Sequence, residues 1–164
     1  MGFFDRFRTR QIADVALGTL DYRGGWWRGR LTLAALGEAE LHLPGSDRAP
    51  SEPARSIVVD DLPRHWPALQ SAIANALFEH YEPYRDAAAE IDLDDVGDAV
   101  PSIASAAEVW RFVRTPLVRV ADAGDGFDVR FAFDVAWDLE HTVGIFVHDW
   151  SVYDVSGSVL REDL

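Results

Sequence analysis

Trp137, Asp138, Glu140 and His141 are the densest group of chemically capable side chains in the chain. Three kinds of chemistry are open to them. Two carboxylates and an imidazole are suitable ligand types for a divalent metal. If the stretch is an extended loop, however, Asp138 and Glu140 share a face and His141 points away. No helical His-Glu-x-x-His array supplies the rest of a ligand set. A Glu140–His141 acid–base pair is the second option. It needs a pocket and a third, orienting group. In the third option the loop is structural. Asp138 accepts backbone N–H groups as a turn residue, Glu140 and His141 bond locally, and Trp137 plugs the end of a sheet. The expectation drawn here assigns no catalytic residue, no metal ligand and no cofactor. It keeps Trp137, Asp138, Glu140 and His141 as candidate binding residues.

Trp26 and Trp27 complete that candidate set. In a strand, neighbours point to opposite faces. One tryptophan is therefore expected in the core and the other on a face that can offer an aromatic platform.

The elements that position these residues are read from periodicity. Phe127, Val129, Phe131, Phe133, Val135 and Trp137 alternate with Asp128, Arg130, Ala132, Asp134 and Ala136. That is the period of a half-buried strand. A polar loop at 138–141 and an apolar run at 143–147 turn it into a hairpin. Earlier in the chain, strands are expected at 14–22, 26–33 and 38–43, with Gly24-Gly25 and Gly37 as turns. A short strand is expected at 55–59. Asp60 to Pro63 then reads as a helix start. Trp66, Leu69, Ile73, Leu77 and His80 form one helical stripe, and Pro83 is expected to end it. A second short helix is placed at 84–91. A last helical stretch is placed around 101–115, where Ser105 and Glu108 have capping-box spacing and Pro116 follows. Strands at 117–121 and 152–155 close the chain. The expected fold class is α+β: antiparallel sheet or sheets built from the N- and C-terminal strands, with two or three middle helices packed on one face. Residues 14–157 form one domain between an N-terminal tail (1–13) and a C-terminal tail (158–164).

Two further stretches invite chemistry. Phe3, Phe4 and Phe7, interleaved with Arg6, Arg8 and Arg10, resemble a small surface anchor. The segment is too short to hold a membrane strongly, so membrane association is not expected. Asp92, Asp94 and Gly97 match positions one, three and six of a calcium loop. Val96 and Ile103 fail at positions five and twelve, and a solvated acidic linker is the better account.

Composition narrows the function classes. The chain has 164 residues, no cysteine and a net charge of -13. Its basic residues are all arginine. Thiolate chemistry, lysine Schiff bases and a lysine-bearing phosphate loop are thereby excluded. Residues 1–30 carry six Arg against three Asp, and the remainder nine Arg against 25 acids. An acidic body repels phosphate backbones, so no nucleic-acid partner is expected. It steers a basic protein partner instead. With no apolar signal segment at the start, a cytoplasmic location is expected.

The stretch Trp137-Asp138-Leu139-Glu140-His141-Thr142-Val143-Gly144 resembles the signature of a family of uncharacterised bacterial proteins, a domain of unknown function. Its members carry Trp-Asp-x-Glu-His-Gly-x-Gly between two late strands. Leu17-Gly18, the Gly-Gly-Trp-Trp of residues 24–27, Tyr81 and Tyr84 late in the middle helix, and Trp110 before the closing strands extend the resemblance over residues 16–157. Thr142 stands where the family has Gly, a residue that tolerates a left-handed backbone far better. The resemblance implies an α+β fold and no established activity. By analogy with small acidic bacterial proteins, the function expected is a non-enzymatic protein-binding module of the immunity type. The alternative is a small metal-dependent hydrolase using Asp138, Glu140 and His141.

Overall fold

A computed structural model describes residues 10–90, 100–122 and 126–160. Eight strands pair in chain order into one sheet. They are β1 (Arg10–Asp14), β2 (Gly18–Arg23), β3 (Trp26–Leu33), β4 (Gly37–Pro44), β5 (Val113–Asp122), β6 (Phe127–Val135), β7 (Asp138–His148) and β8 (Ser151–Val159). Paired strand thus begins before residue 14 and continues past residue 157. The stretch expected to be one strand at 14–22 is the β1–β2 hairpin, with the Asp14 Oδ1 accepting the N–H groups of Ala16 and Leu17.

The expectation of an antiparallel sheet under two or three helices is overturned on both counts. The sheet is mixed, because β4 and β5 run parallel. Parallel neighbours need a long crossover rather than a tight turn, and here the crossover is the helical middle of the chain. Two antiparallel meanders, β1–β4 and β5–β8, are joined edge to edge through that one parallel pair.

The helical middle is one rod. α1 (Glu52–Ser56) runs through a π turn (Ile57–Asp61) into α2 (Leu62–Glu90) without a break. No strand forms at 55–59. The β-branched Ile57, Val58 and Val59 favour a strand locally, but Ala54, Val58, Leu62 and Trp66 are all buried at four-residue steps. Repeated steps of four overrun a 3.6-residue turn by about one residue over three turns, and the wider π turn absorbs it. Pro83 does not end α2, and there is no separate helix at 84–91. Pro83 is exposed, and so is Glu79, whose carbonyl loses its helical donor to the proline ring. A carbonyl freed on an exposed face is open to solvent rather than buried unsatisfied, which lets the rod continue to Glu90. Residues 106–112 form only a 3₁₀ turn, Ala106–Phe112, and Glu108 reaches back to the N–H of Ala104 at 3.2 Å. Pro116 lies inside β5, at the register shift between Arg114 and Leu117.

One face of the sheet packs on the rod. Trp27, Leu41, Leu43, Ile73, Leu77, Phe131 and Phe133 are fully buried there. The other face carries a much smaller apolar cluster of Leu117 and Ala132 beneath Phe146 and Val159. No described helix is long and apolar enough to cross a membrane.

Candidate functional site

The loop expected at 138–141 is part of a strand. The β6–β7 turn is the pair Ala136 and Trp137, and β7 starts at Asp138. Val135 pairs with Asp138, yet its neighbour Asp134 pairs with Thr142. Leu139, Glu140 and His141 are therefore extruded as a three-residue bulge. Bulges of this kind re-aim side chains beside functional sites. Thr142 does not need a left-handed backbone here. It pairs in the strand and donates its hydroxyl to Asp134 Oδ1 at 2.9 Å.

Asp138 holds the bulge from inside. Its Oδ1 accepts the backbone N–H of Glu140 at 3.2 Å and of His141 at 3.1 Å. Its Oδ2 accepts the Tyr84 hydroxyl of α2 at 2.6 Å. His141 Nδ1 lies 3.1 Å from both carboxylate oxygens. The Asp138 side chain is only 5% exposed, against 47% for His141. Burial pushes the Asp138 pKa up, but the hydrogen bonds from Tyr84, His141 and the two backbone amides outweigh it and hold the carboxyl below its usual value. Burial, then the bond to Asp138, pushes Tyr84 up to about 12.

Trp137 anchors the turn to the same helix. Its indole N–H donates to His80 Nδ1 at 3.0 Å, and its ring meets Tyr81 edge-on at 5.6 Å. His80 must be neutral at Nδ1 to accept this bond. Burial lowers its pKa, against the opposing pull of the Asp138 charge. On its other side the ring meets β8, where a Cβ at Gly157 would sit 2.7 Å from His80 Nε2. The histidine is packed between a turn, a helix and a strand.

A groove of about 380 Å³ opens beside the bulge, with Arg114, Thr115, Asp134, Glu140 and His141 among its walls. Thr115 has φ 43°, a conformation that a β-branched residue rarely adopts. Its hydroxyl donates to Asp134, which ties the strained residue to β6. The groove thus meets an imidazole oriented through Nδ1 by a buried carboxylate, the exposed carboxylate of Glu140, and Arg114 from β5. Leu139, at the crest, is 69% exposed.

The candidate set separates into two places. Trp137, Asp138, Glu140 and His141 are together. Trp26 and Trp27 lie in β3, three strands from β6. Trp27 is fully buried, and its indole donates to the carbonyl of Ser46 at 2.9 Å. Trp26 is on the opposite face, half-buried, with the Arg119 guanidinium 4.6 Å over its ring. Tyr84, named in the sequence only among the tyrosines that carry the resemblance, was not expected at the site. Its signal was the helical period, since it stands four residues after His80 on the same stripe; placing the helix end at Pro83 hid it. Arg114 had no signal, because only the pairing of β5 with β6 brings it to the groove. Phe3, Phe4 and Phe7, and the acidic run at 92–98, lie outside the described residues.

A family model described as Domain of unknown function (DUF6985) matches residues 16–160. No curated protein and no solved structure matches the chain.

Proposed function

The chain belongs to the DUF6985 family, and from that premise we propose that it is a non-enzymatic, cytoplasmic protein-binding module that engages a basic partner through the Leu139–His141 bulge. One observation carries the reading. A large apolar side chain, Leu139, stands 69% exposed at the crest of a bulge whose base is buried and fully hydrogen-bonded. A single exposed apolar residue is ordinary by itself; the reading rests on its being held by a buried, hydrogen-bonded support beside a groove with charged walls. The net charge of -13 favours encounter with a basic protein. Neutralising such a partner stoichiometrically is an immunity-type role.

The test is a pull-down from host lysate with wild type beside Leu139→Asp and Glu140→Arg. All three are expected to fold alike, because both positions are exposed. A partner captured in one-to-one ratio by wild type and lost by both variants is the expected result. Equal capture by all three, or none by wild type, overturns the reading.

The Asp138–His141 contact favours a second reading. A buried carboxylate that fixes one imidazole nitrogen leaves the other to act as a base at the groove. A metal-dependent version fits less well. The Asp138 oxygens already serve Tyr84, His141 and two amides, and among the described residues no three His, Asp or Glu side chains gather as a ligand set. Stoichiometric zinc or manganese lost on His141→Ala would favour the metal-dependent reading and overturn the binding module as stated, and hydrolysis of a substrate would still have to accompany it.

A further inference from the structure

Two bulges open on one groove. On β5, Thr115 and Pro116 lie between the pair Arg114 with Asp134 and the pair Leu117 with Ala132, so two residues stand against Phe133 alone. On β7, Leu139, Glu140 and His141 are the extruded residues. Asp134 of β6 lies between the two bulges, paired with Arg114 on one side and with Thr142 on the other. Opposite charges directly across a ladder ordinarily attract. Here Asp134 is otherwise occupied. Its Oδ1 accepts the Thr142 hydroxyl at 2.9 Å, and its Oδ2 accepts the hydroxyl of Thr115. Thr115 makes that bond from a left-handed backbone, φ 43°, which persists only where the surroundings hold it.

Two exposed charges are thereby left on the walls of one cavity. Arg114 and Glu140 both line the groove of about 380 Å³. Neither side chain has an ion pair or hydrogen bond among the described residues, and they do not pair with each other. Either charge alone would be an ordinary solvated surface group. Together they give one groove a positive and a negative pole. The strands that carry them, β5 and β7, flank β6 and so stand about 10 Å apart, two strand spacings. The volume falls in the range of pockets that hold small molecules. The other two carboxylates of the groove are committed. Asp134 holds the two threonines, and Asp138 is 5% exposed and holds Tyr84 and His141.

We propose that this groove binds a small zwitterion, an amino acid or ω-amino acid, whose carboxylate seats on Arg114 and whose ammonium seats on Glu140, with His141 as a polar wall. A guanidinium fork receives both oxygens of a carboxylate at once. The exposed Glu140 carboxylate suits an ammonium. Charge selects the two ends together. A body of net charge -13 repels a simple anion. A simple cation would have Arg114 facing it. A zwitterion is neutral overall and meets each pole with the opposite sign. The site shares Glu140 with the partner surface but does not rest on that reading, because a ligand in the groove needs no second protein.

The experiment titrates glycine, γ-aminobutyrate and ε-aminocaproate separately into the purified full chain at constant ionic strength. Sodium acetate and n-butylammonium chloride serve as the two half-ligands. The amide resonances of Thr115 and His141 and the unfolding midpoint are followed. Expected are saturable shifts with at least one of the three amino acids and a midpoint that rises with its concentration. The length that binds best measures the span between the two poles. Acetate and n-butylammonium should each bind at least roughly tenfold more weakly, the factor that one charged hydrogen bond supplies. Arg114→Gln and Glu140→Gln, both at exposed positions, should each lower the affinity by a similar factor. Arg10→Gln, a change at a peripheral pair with Asp47, should leave it intact. No saturable response to any of the three, a half-ligand that binds as well as they do, or unchanged affinity in either groove variant overturns the proposal. The titration uses no partner protein, so its outcome and that of the lysate capture are read separately.

Discussion

The two ends of β7 solve one problem in different ways. Each end is a turn that carries a tryptophan, and each tryptophan meets a histidine of α2. At the β6–β7 turn, Trp137 donates a hydrogen bond to His80. At the β7–β8 turn, Trp150 stacks flat on His65, with ring centroids 4.4 Å apart and planes 2° from parallel. The two histidines are roughly 22 Å apart along the helix axis, so the helix is clasped at both ends of one strand. The clasps are not equivalent. Trp137 is 4% exposed, its backbone is relaxed, and it is followed by the buried Asp138. Asp149 and Trp150 both have positive φ, 45° and 60°. A two-residue hairpin turn asks for that geometry, and Asn-Gly satisfies it without strain. One end is fixed by burial and hydrogen bonds. The other holds a strained turn with a stacking contact. The comparison teaches that the bulge, the candidate contact surface, sits on the rigid end.

The sharpest way to break this contrast is Trp137→Ala. It removes a buried ring and the partner of His80, and should cost about 3–5 kcal/mol in urea unfolding. A loss under about 1 kcal/mol would show that the two ends are alike. Asp138→Asn comes next. It keeps the shape but weakens the bonds to Tyr84 and His141, and should cost about 1.5–3 kcal/mol. Faster hydrogen exchange at the Glu140 and His141 amides should accompany it, with exchange at the β7–β8 turn unchanged.

Acid should act on the rigid end first. The His80 pKa is lowered from 6.5 in the folded state. The unfolded chain therefore binds a proton more readily, and stability falls as pH drops from about 6.5 toward the folded value. His42 adds to this window in the same sense. The carboxylates act in a lower window. The bond from Arg55, set against burial, lowers Asp14 from 3.8 to about 2, and Asp138 is also lowered. Their contribution is present above the unfolded value and is lost as pH falls through the folded one. Stability measured from pH 7 to pH 2 should decline in these two phases, and His80→Gln should weaken only the first. A single decline below pH 4 would remove the role given to His80.

The smallest effect is expected at the other end. Trp150→Gly loses the stack on His65, worth about 0.5–1.5 kcal/mol, and the apolar contact of a half-buried ring, but relieves a left-handed backbone that costs about 1–2 kcal/mol. The variant should lose clearly less stability than Trp137→Ala. A loss as large as that of Trp137→Ala would make the two clasps equal.

Much of the scaffold was legible one element at a time. The alternation read over 127–137 marks β6, which stops at Val135 with Ala136 and Trp137 in the turn, and the strand expected at 26–33 is β3 to the residue. The stripe from Trp66 to His80 marks the buried face of α2. In each case a repeating spacing answers to a face that must leave water. Errors came where a local preference opposed a long-range one. Ile57 to Val59 favour a strand until the rod needs Val58 on the sheet. Pro83 breaks a helix unless the carbonyl it orphans faces solvent. For the site, residue types were legible and geometry was not. Asp138 was readable as an acceptor of backbone N–H groups, and it is one. That its other oxygen takes Tyr84, 54 positions earlier, was not.

The sequence by itself determined which residues alternate, which recur at helical spacing, where the acidic charge lies and which chemistries are impossible without cysteine or lysine. These follow from the nearest neighbours along the chain. Tertiary structure alone decided that β4 and β5 run parallel, that the register extrudes Leu139 to His141, and that Arg114 and Glu140 line one groove. Such pairings join segments far apart in the chain, and closing those loops costs entropy that only the assembled core repays. The free energy that selects them belongs to no single segment.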